Sequence, residues 1–281
     1  MNVFVASPRP VCLGLARVLG LGAVLLLLGG CYTNPVTGRQ SLVLISQGEE
    51  LSLGQQSFAE ISRAETVSRD ATQNTRVRRI GERIAQVVGE QMPNAKWEFV
   101  VFDSPQANAF ALPGGKVGVY TGLLRLAEND SELAIVMGHE IGHVIARHGA
   151  ERMSEAMLIS GIGAVSAAAI ENKTDAKTKD LFLLAYGGAT TVARVLPHSR
   201  GNETEADKMG AIYAARAGYD PRAALTFWQK MAGQKAGTAG AGGSPAWLST
   251  HPSDQKRIAD LQAFMTVAVP LYEAAVRTKS P

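Results

Sequence analysis

The amino-acid sequence predicts an α+β fold, mostly helical, with a small β-sheet beside one central helix. Three observations lead there. Apolar residues recur at three- and four-residue intervals over most of the 281-residue chain, the β-rich runs cluster between residues 97 and 120, and there is no repeat array. A chain of this length can bury one large core or two smaller ones. The composition, 46% hydrophobic and 19% charged, is ordinary for a globular protein, and a net charge of +3 from 28 basic and 25 acidic residues gives no footprint for nucleic acid.

Four segments follow in order: residues 1–30 as an export signal, 31–46 as a lipidated tether, 47–270 as the folded domain and 271–281 as a C-terminal tail. Arg9 and Arg17 supply the positive charge of the signal, residues 18–28 form an apolar run ending in four leucines, and Gly29-Gly30 lead to Cys31. The run is short for a helix crossing a hydrocarbon core of about 30 Å. Leu28-Gly29-Gly30-Cys31 resembles a bacterial lipobox, whose cysteine is diacylated and becomes the mature N-terminus; a plain signal peptide or an uncleaved anchor is the alternative reading. Cys12 leaves with the signal, so Cys31 has no disulfide partner, and a lipid on its thiol accounts for that solitude. Tyr32 rather than Asp after the cysteine favours, by the same resemblance, sorting to an outer membrane.

After tether turns at Asn34-Pro35 and Thr37-Gly38, residues 47–91 read as helical, with a break inside polar 62–75. Residues 97–102, 109–112 and 116–120 read as strands, the last two joined by a tight Pro113-Gly114-Gly115 turn, and 122–127 as a short helix or turn. Asn129 and Glu132 propose a capping box for a helix whose apolar face runs from Leu133 to Ile145 and on to His148. Two apolar helices, 156–170 and 181–196, flank a polar stretch, 171–180. A helix over 203–217 ends at Gly218, Asp220-Pro221 opens another to about Met231, residues 233–243 form a glycine- and alanine-rich loop that is a gate or a spacer, and a last helix follows Ser253.

The chemistry sits on the central helix. His139-Glu140-Ile141-Gly142-His143 places two imidazoles four residues apart, hence on one face and within reach of one ion. Zinc accepts such nitrogens at about 2.0–2.1 Å, and Glu140 beside them can serve as general base. The alternative is two histidines on a solvated face. A catalytic zinc needs a third protein ligand, and Asn202-Glu203-Thr204-Glu205-Ala206-Asp207 offers carboxylates at the start of a later helix. Glu203 and Asp207 share a face, so that one can bind while the other orients a histidine, and Glu205 points elsewhere, into solvent; spacing alone does not choose Glu203 over Glu205.

H-E-x-x-H followed by E-x-x-A-D is similar to the gluzincin family of HtpX-like and CAAX prenyl proteases, in its bacterial lipoprotein and mitochondrial OMA-type branch. Residues 34–39 (NPVTGR), 108–115 (NAFALPGG), Ser199-Arg200, 217–221 (AGYDP) and 250–253 (THPS) carry the same resemblance, which spans about 34–261. It implies a zincin-like metalloprotease with one zinc per chain, held by His139, His143 and Glu203, with Glu140 as catalytic base and Asp207 behind a ligand. It also implies that His251 overhangs the site, stabilising the oxyanion or capping the zinc at rest; a loop histidine stacked on Pro252 is the plainer reading. His148 reads as a helix C-terminal charge. His198 stands where the family often has an aromatic residue, as a substitute or as a change to the pocket.

The strands around residues 108–120 can hold an extended substrate by main-chain hydrogen bonds, which nominates Asn108, Ala109 and Phe110 as substrate-binding, or they are a plain core hairpin. The expectation is a zinc endopeptidase of the cell envelope, on the outer membrane facing the periplasm, acting on unfolded or misfolded proteins. Its rivals are a non-catalytic zinc-stabilised chaperone or scaffold, and an intramembrane protease acting on lipidated peptides.

Overall fold

A computed structural model describes residues 31–159, 176–186, 199–237, 247, 251 and 255–278. The expected signal, most of the two apolar helices after residue 159, His198 and most of the 233–243 loop lie outside the described residues.

The segment expected as a tether is built into the body. Strand β1 (Cys31–Thr33) pairs antiparallel with β2 (Gln40–Leu42). The turn between them closes with Asn34 N–H to the Arg39 carbonyl at 2.8 Å and Gly38 N–H to the Asn34 carbonyl at 2.9 Å. Farther out, the Tyr32 hydroxyl donates to the Ile145 carbonyl at 2.5 Å, and Leu44 N–H donates to Ser154 Oγ at 2.9 Å.

Helices α1 (Gln47–Ala64) and α2 (Ala71–Val88) fill the expected helical region, with the break at residues 65–70. Ser46 and Glu49 make a reciprocal capping box on α1, and Asp70 caps α2 by accepting from Thr72 and Gln73 N–H. The sheet has strands β3 (Glu98–Phe102), β4 (Ala109–Leu112) and β5 (Lys116–Tyr120) in the order β3-β5-β4, with β5 parallel to β3 and antiparallel to β4. The hairpin turn uses Gly114 and Gly115 at φ +91° and +80°, a left-handed region that a side chain resists. Helix α3 (Thr121–Leu124) is the short helix expected after it.

Helix α4 (Asp130–Ile145) is the centre of the molecule, buried at every residue from Glu132 to Ile145. Asn129 caps it, accepting from Glu132 N–H at 2.9 Å, but the reciprocal half of the expected box is absent. The Glu132 carboxylate instead accepts from Glu128 N–H at 2.9 Å and from Lys230 at 3.0 Å. The helix stops before His148, at Arg147 with φ +56°, whose guanidinium is held by Glu50 and the Ile45 carbonyl. His148 therefore opens helix α5 (His148–Ile159) and is not the C-terminal charge expected of it.

Helix α6 (Ala176–Tyr186) takes in part of the stretch read as a polar separator. Ser199 caps α7 (Arg200–Arg216), accepting from Asn202 N–H at 3.1 Å, and Gly218 at φ +87° ends it. Helix α8 (Ala223–Gly237) is longer than expected, and α9 (Gln255–Arg277) continues through Pro270 past the expected domain end. No described helix is long and apolar enough to cross a membrane.

Helices α4 and α7 cross at glycines. A Cβ added at Gly138 would lie 3.0 Å from the Gly210 carbonyl oxygen, and one added at Gly210 would lie 2.7 Å from the His139 amide nitrogen. Gly142 extends the seam, facing Met209 Cβ at 3.2 Å and the Ala206 carbonyl at 3.3 Å. Backbone meets backbone, so neither side can yield cheaply. Alanine is the better helix former by about 1 kcal/mol, yet Gly210→Ala is expected to lower unfolding free energy by about 1–3 kcal/mol through overpacking. Urea denaturation reads the sign, and a stabilised variant would contradict the close crossing.

Candidate metal centre and active site

The crossing sets the chemistry of the two helices face to face. His139 and His143 project from α4 one turn apart, Glu203 and Asp207 project from the first two turns of α7, and His251 enters from the segment before α9; all five are buried. Glu203, not Glu205, faces the imidazoles.

The inward donor atoms are His139 Nε2, His143 Nε2, His251 Nδ1 and the Glu203 carboxylate, mutually within 4.8 Å. A tetrahedral shell with bonds of about 2.0–2.1 Å has donor–donor edges of about 3.3–3.4 Å. Here His139 and His143 are 3.0 Å apart, His139 and His251 3.2 Å, and His143 and Glu203 Oε1 3.4 Å. His251 lies 3.1 Å from Glu203 Oε1, and His139 lies 3.6 Å from Glu203 Oε2. These five distances straddle the tetrahedral value, and three imidazoles with one carboxylate suit a borderline divalent ion such as zinc. His251 thus enters the donor set, beyond merely overhanging it.

The outward nitrogens face polar groups as well, with Nε2 of each α4 histidine turned inward. His139 Nδ1 lies 3.0 Å from Asp207 Oδ1, and His143 Nδ1 lies 2.8 Å from His148 Nδ1. Arg257 of α9 closes the cluster, donating to Asp207 through Nε at 2.8 Å and Nη2 at 2.7 Å, pairing with Glu203 Oε2 at 2.8 Å, and stacking 3.8 Å over Trp228. Burial alone would raise the Glu203 carboxyl, but His251, His143 and Arg257 outweigh it and hold it well below its usual range. Burial likewise pushes Asp207 up, and Arg257 and His139 bring it down. Burial drives His143 well below the usual imidazole value, so it is neutral and ready to ligate. In His139 burial is outweighed by Asp207 and Glu203, and the net direction is upward.

Glu140 points beside the donors. Its Oε1 accepts from Trp247 Nε1 at 2.7 Å and lies 3.5 Å from His251 Nε2. The Trp247 ring stacks on Trp228 at 5.0 Å and edges His139 at 5.8 Å.

The register of β4 narrows the expected substrate contacts. Tyr120 N–H donates to the Asn108 carbonyl at 3.0 Å and Phe110 pairs with Gly118, so Asn108 and Phe110 turn their peptide groups into the sheet. The Phe110 ring is core, 6.3 Å from Phe58 and 6.2 Å from Phe102. By alternation Ala109 and Ala111 present N–H and C=O at the outer edge, as does Ala107, whose carbonyl accepts Trp247 N–H at 3.1 Å. Of the three residues expected to bind substrate, Ala109 alone offers its main chain there.

Glu205, expected in solvent, is buried against His148 Nε2 at 2.9 Å, Asn34 Nδ2 at 2.8 Å, the Thr37 hydroxyl and Arg39. Burial would raise its carboxyl, and His148, Thr37 and Arg39 bring it down to about 2. Sequence reasoning also missed Arg257 and Trp247. Both left a trace: Arg257 opens the stripe continued by Leu261, Met265 and Ala268, and Trp247 is a large ring beside a glycine-rich stretch.

The profile of peptidase family M48 matches residues 71–265. The chain belongs to that family. Among its M48 relatives, the mitochondrial metalloendopeptidase OMA1 of Schizosaccharomyces pombe is 38% identical over 192 residues, 68% of this chain and 53% of that one. The Saccharomyces cerevisiae counterpart is 30% identical over 276 residues, 88% of this chain and 75% of that one. The beta-barrel assembly-enhancing protease of Escherichia coli is 28% identical over 231 residues, 81% and 46% of the two chains. The chain thus spans about half the length of the fission yeast and E. coli proteins. The resemblance seen in the motifs is borne out at the level of the M48 family.

Arg257→Ala leaves the Asp207 and Glu203 carboxylates buried without their guanidinium, and a loss of about 3–5 kcal/mol in unfolding free energy is expected. Chemical denaturation of the purified chain measures it, and a loss under about 1 kcal/mol would show that the imidazoles alone neutralise the pair.

Proposed function

We propose that the protein is a zinc-dependent endopeptidase of the cell envelope, cleaving unfolded or misfolded proteins and anchored by a lipid on Cys31. The observation that carries the zinc endopeptidase reading is the convergence of donor atoms from His139, His143, Glu203 and His251 within 4.8 Å of one another, with the Glu140 carboxylate beside them. Zinc bound there supplies Lewis acidity, which polarises a carbonyl and acidifies water.

The rest is the work of the chain. His139, His143 and Glu203 would hold the zinc, with Asp207 placed at His139 Nδ1 to orient that ring. Glu140 takes a proton from the attacking water and passes it to the leaving amine. His251 would complete the donor set around the zinc, and its ring, 3.5 Å from Glu140, lies where an imidazole can support the developing oxyanion. Ala109 and Ala111 offer main-chain hydrogen bonds that read an extended backbone and little of its sequence, which suits an unfolded substrate.

Support for the location comes from Cys31, exposed and free at the head of β1, and from a relative named for beta-barrel assembly, which favours the outer membrane facing the periplasm. A non-catalytic scaffold has no chemical need for a Glu140 held at 2.7 Å by Trp247.

Glu140→Gln is expected to keep stoichiometric zinc while losing casein cleavage by about 10²–10⁴-fold; cleavage retained by a clean preparation, or insensitive to chelator in the wild type, sinks the reading. Cys31→Ala is expected to move the protein from the membrane to the soluble fraction, and persistent membrane association would rule out lipid as the anchor.

A further inference from the structure

The two α4 imidazoles of the proposed zinc site have different groups behind them. His139 has a carboxylate directly at its outward nitrogen, Asp207 at 3.0 Å. His143 has another imidazole there, His148, with Nδ1 to Nδ1 at 2.8 Å. The direction of that bond follows from the metal. If His143 ligates through Nε2, its Nδ1 must carry the proton and donate, so His148 Nδ1 must accept. A neutral His148 that accepts at Nδ1 carries its own proton on Nε2, which lies 2.9 Å from Glu205 Oε2. Proton polarity is thereby set along the row from ligand to carboxylate.

The far end of the row lies in the N-terminal hairpin. The Glu205 carboxylate accepts from Thr37 Oγ1, from Asn34 Nδ2 at 2.8 Å and from Arg39 Nε, three side chains of the β1–β2 turn. Arg39 is gripped in turn by Glu151 through Nη1 at 2.9 Å and Nη2 at 2.8 Å. Those residues begin three positions after Cys31.

We infer that His148 and Glu205 are positioning residues for the ligand His143, and that the hairpin of Asn34, Thr37 and Arg39 is a working part of the metal centre, so that docking of the anchored end of the chain sets metal affinity. The inference rests on the zinc reading above. A hairpin pulled off the body would release Glu205, free His148 to turn, and leave His143 without the acceptor that selects its ligating tautomer.

The test is zinc affinity of the full chain by chelator competition, with ¹⁵N-histidine NMR of the zinc-loaded protein to follow the His143 Nδ1 proton. Glu205→Gln and His148→Phe are expected to weaken zinc binding by about 10–100-fold and to shift or broaden that proton, and the double variant Thr37→Val/Arg39→Ala to act in the same direction. Circular dichroism of the metal-free variants separates loss of fold from loss of affinity, and if Glu205→Gln does not fold, the double variant decides on the same criteria. A folded variant with wild-type affinity, or with weakened affinity and an unmoved His143 proton, overturns the inference. A wild-type chain that binds no zinc would instead overturn the metal reading on which it stands.

Discussion

The distance between two helix backbones governs the rest of this structure. Helices α4 and α7 meet where Gly138 and Gly210 leave no side chain between them, and Gly142 and Ala206 continue the seam. Only at that separation does a carboxylate on the first turn of α7 come within 3.4–3.6 Å of imidazoles on α4. A helix pair spaced by ordinary side chains lies about 8–10 Å apart, and the short Glu203 side chain has little reach to spare. Small residues here are part of the chemistry, since they decide whether the donors converge.

Convergence at such depth creates an electrostatic problem that the neighbouring elements solve. Glu203, Asp207 and Glu205 are all buried within five residues of one helix. Each has a cationic or hydrogen-bonding answer from a different part of the chain: Arg257 from α9 for the first two, His148 and the N-terminal hairpin for the third. Burying carboxylates this way adds little net stability when the pairs are compared with apolar residues of similar volume, but removing one partner is costly. The arrangement therefore enforces one geometry, and the first and last described elements of the chain are both needed to hold it.

The local parts of this design were legible in the sequence. The three strands, the Gly114-Gly115 turn, the α1–α2 break and the central helix follow from periodicity and turn chemistry, and His139 and His143 follow from spacing on one face, with Glu140 beside them. Long-range pairings were not. Spacing alone left Glu203 and Glu205 open, because which face of α7 meets α4 depends on the crossing at Gly210. His148 read as a terminal charge because nothing local announces that Arg147 adopts φ +56° and starts a new helix. The 31–46 segment read as a tether because its polar turn residues find their partner, Glu205, more than 160 residues away. Nor does a strand's sequence say which of its peptide groups face a neighbour, so that Asn108 and Phe110 could be separated from Ala109 only once the register was seen.

Trp247 and His251 belong to one stretch, joined by His251 N–H to the Trp247 carbonyl at 2.9 Å, and it touches the site twice. The tryptophan main chain takes the first outward rung of the β4 edge while the histidine ring reaches the metal donors. A tethered occupant of this kind acts at an effective concentration in the millimolar range. The edge of the sheet and the donor cluster are thereby joined through five residues of chain, so neither foothold can be vacated without drawing on the other.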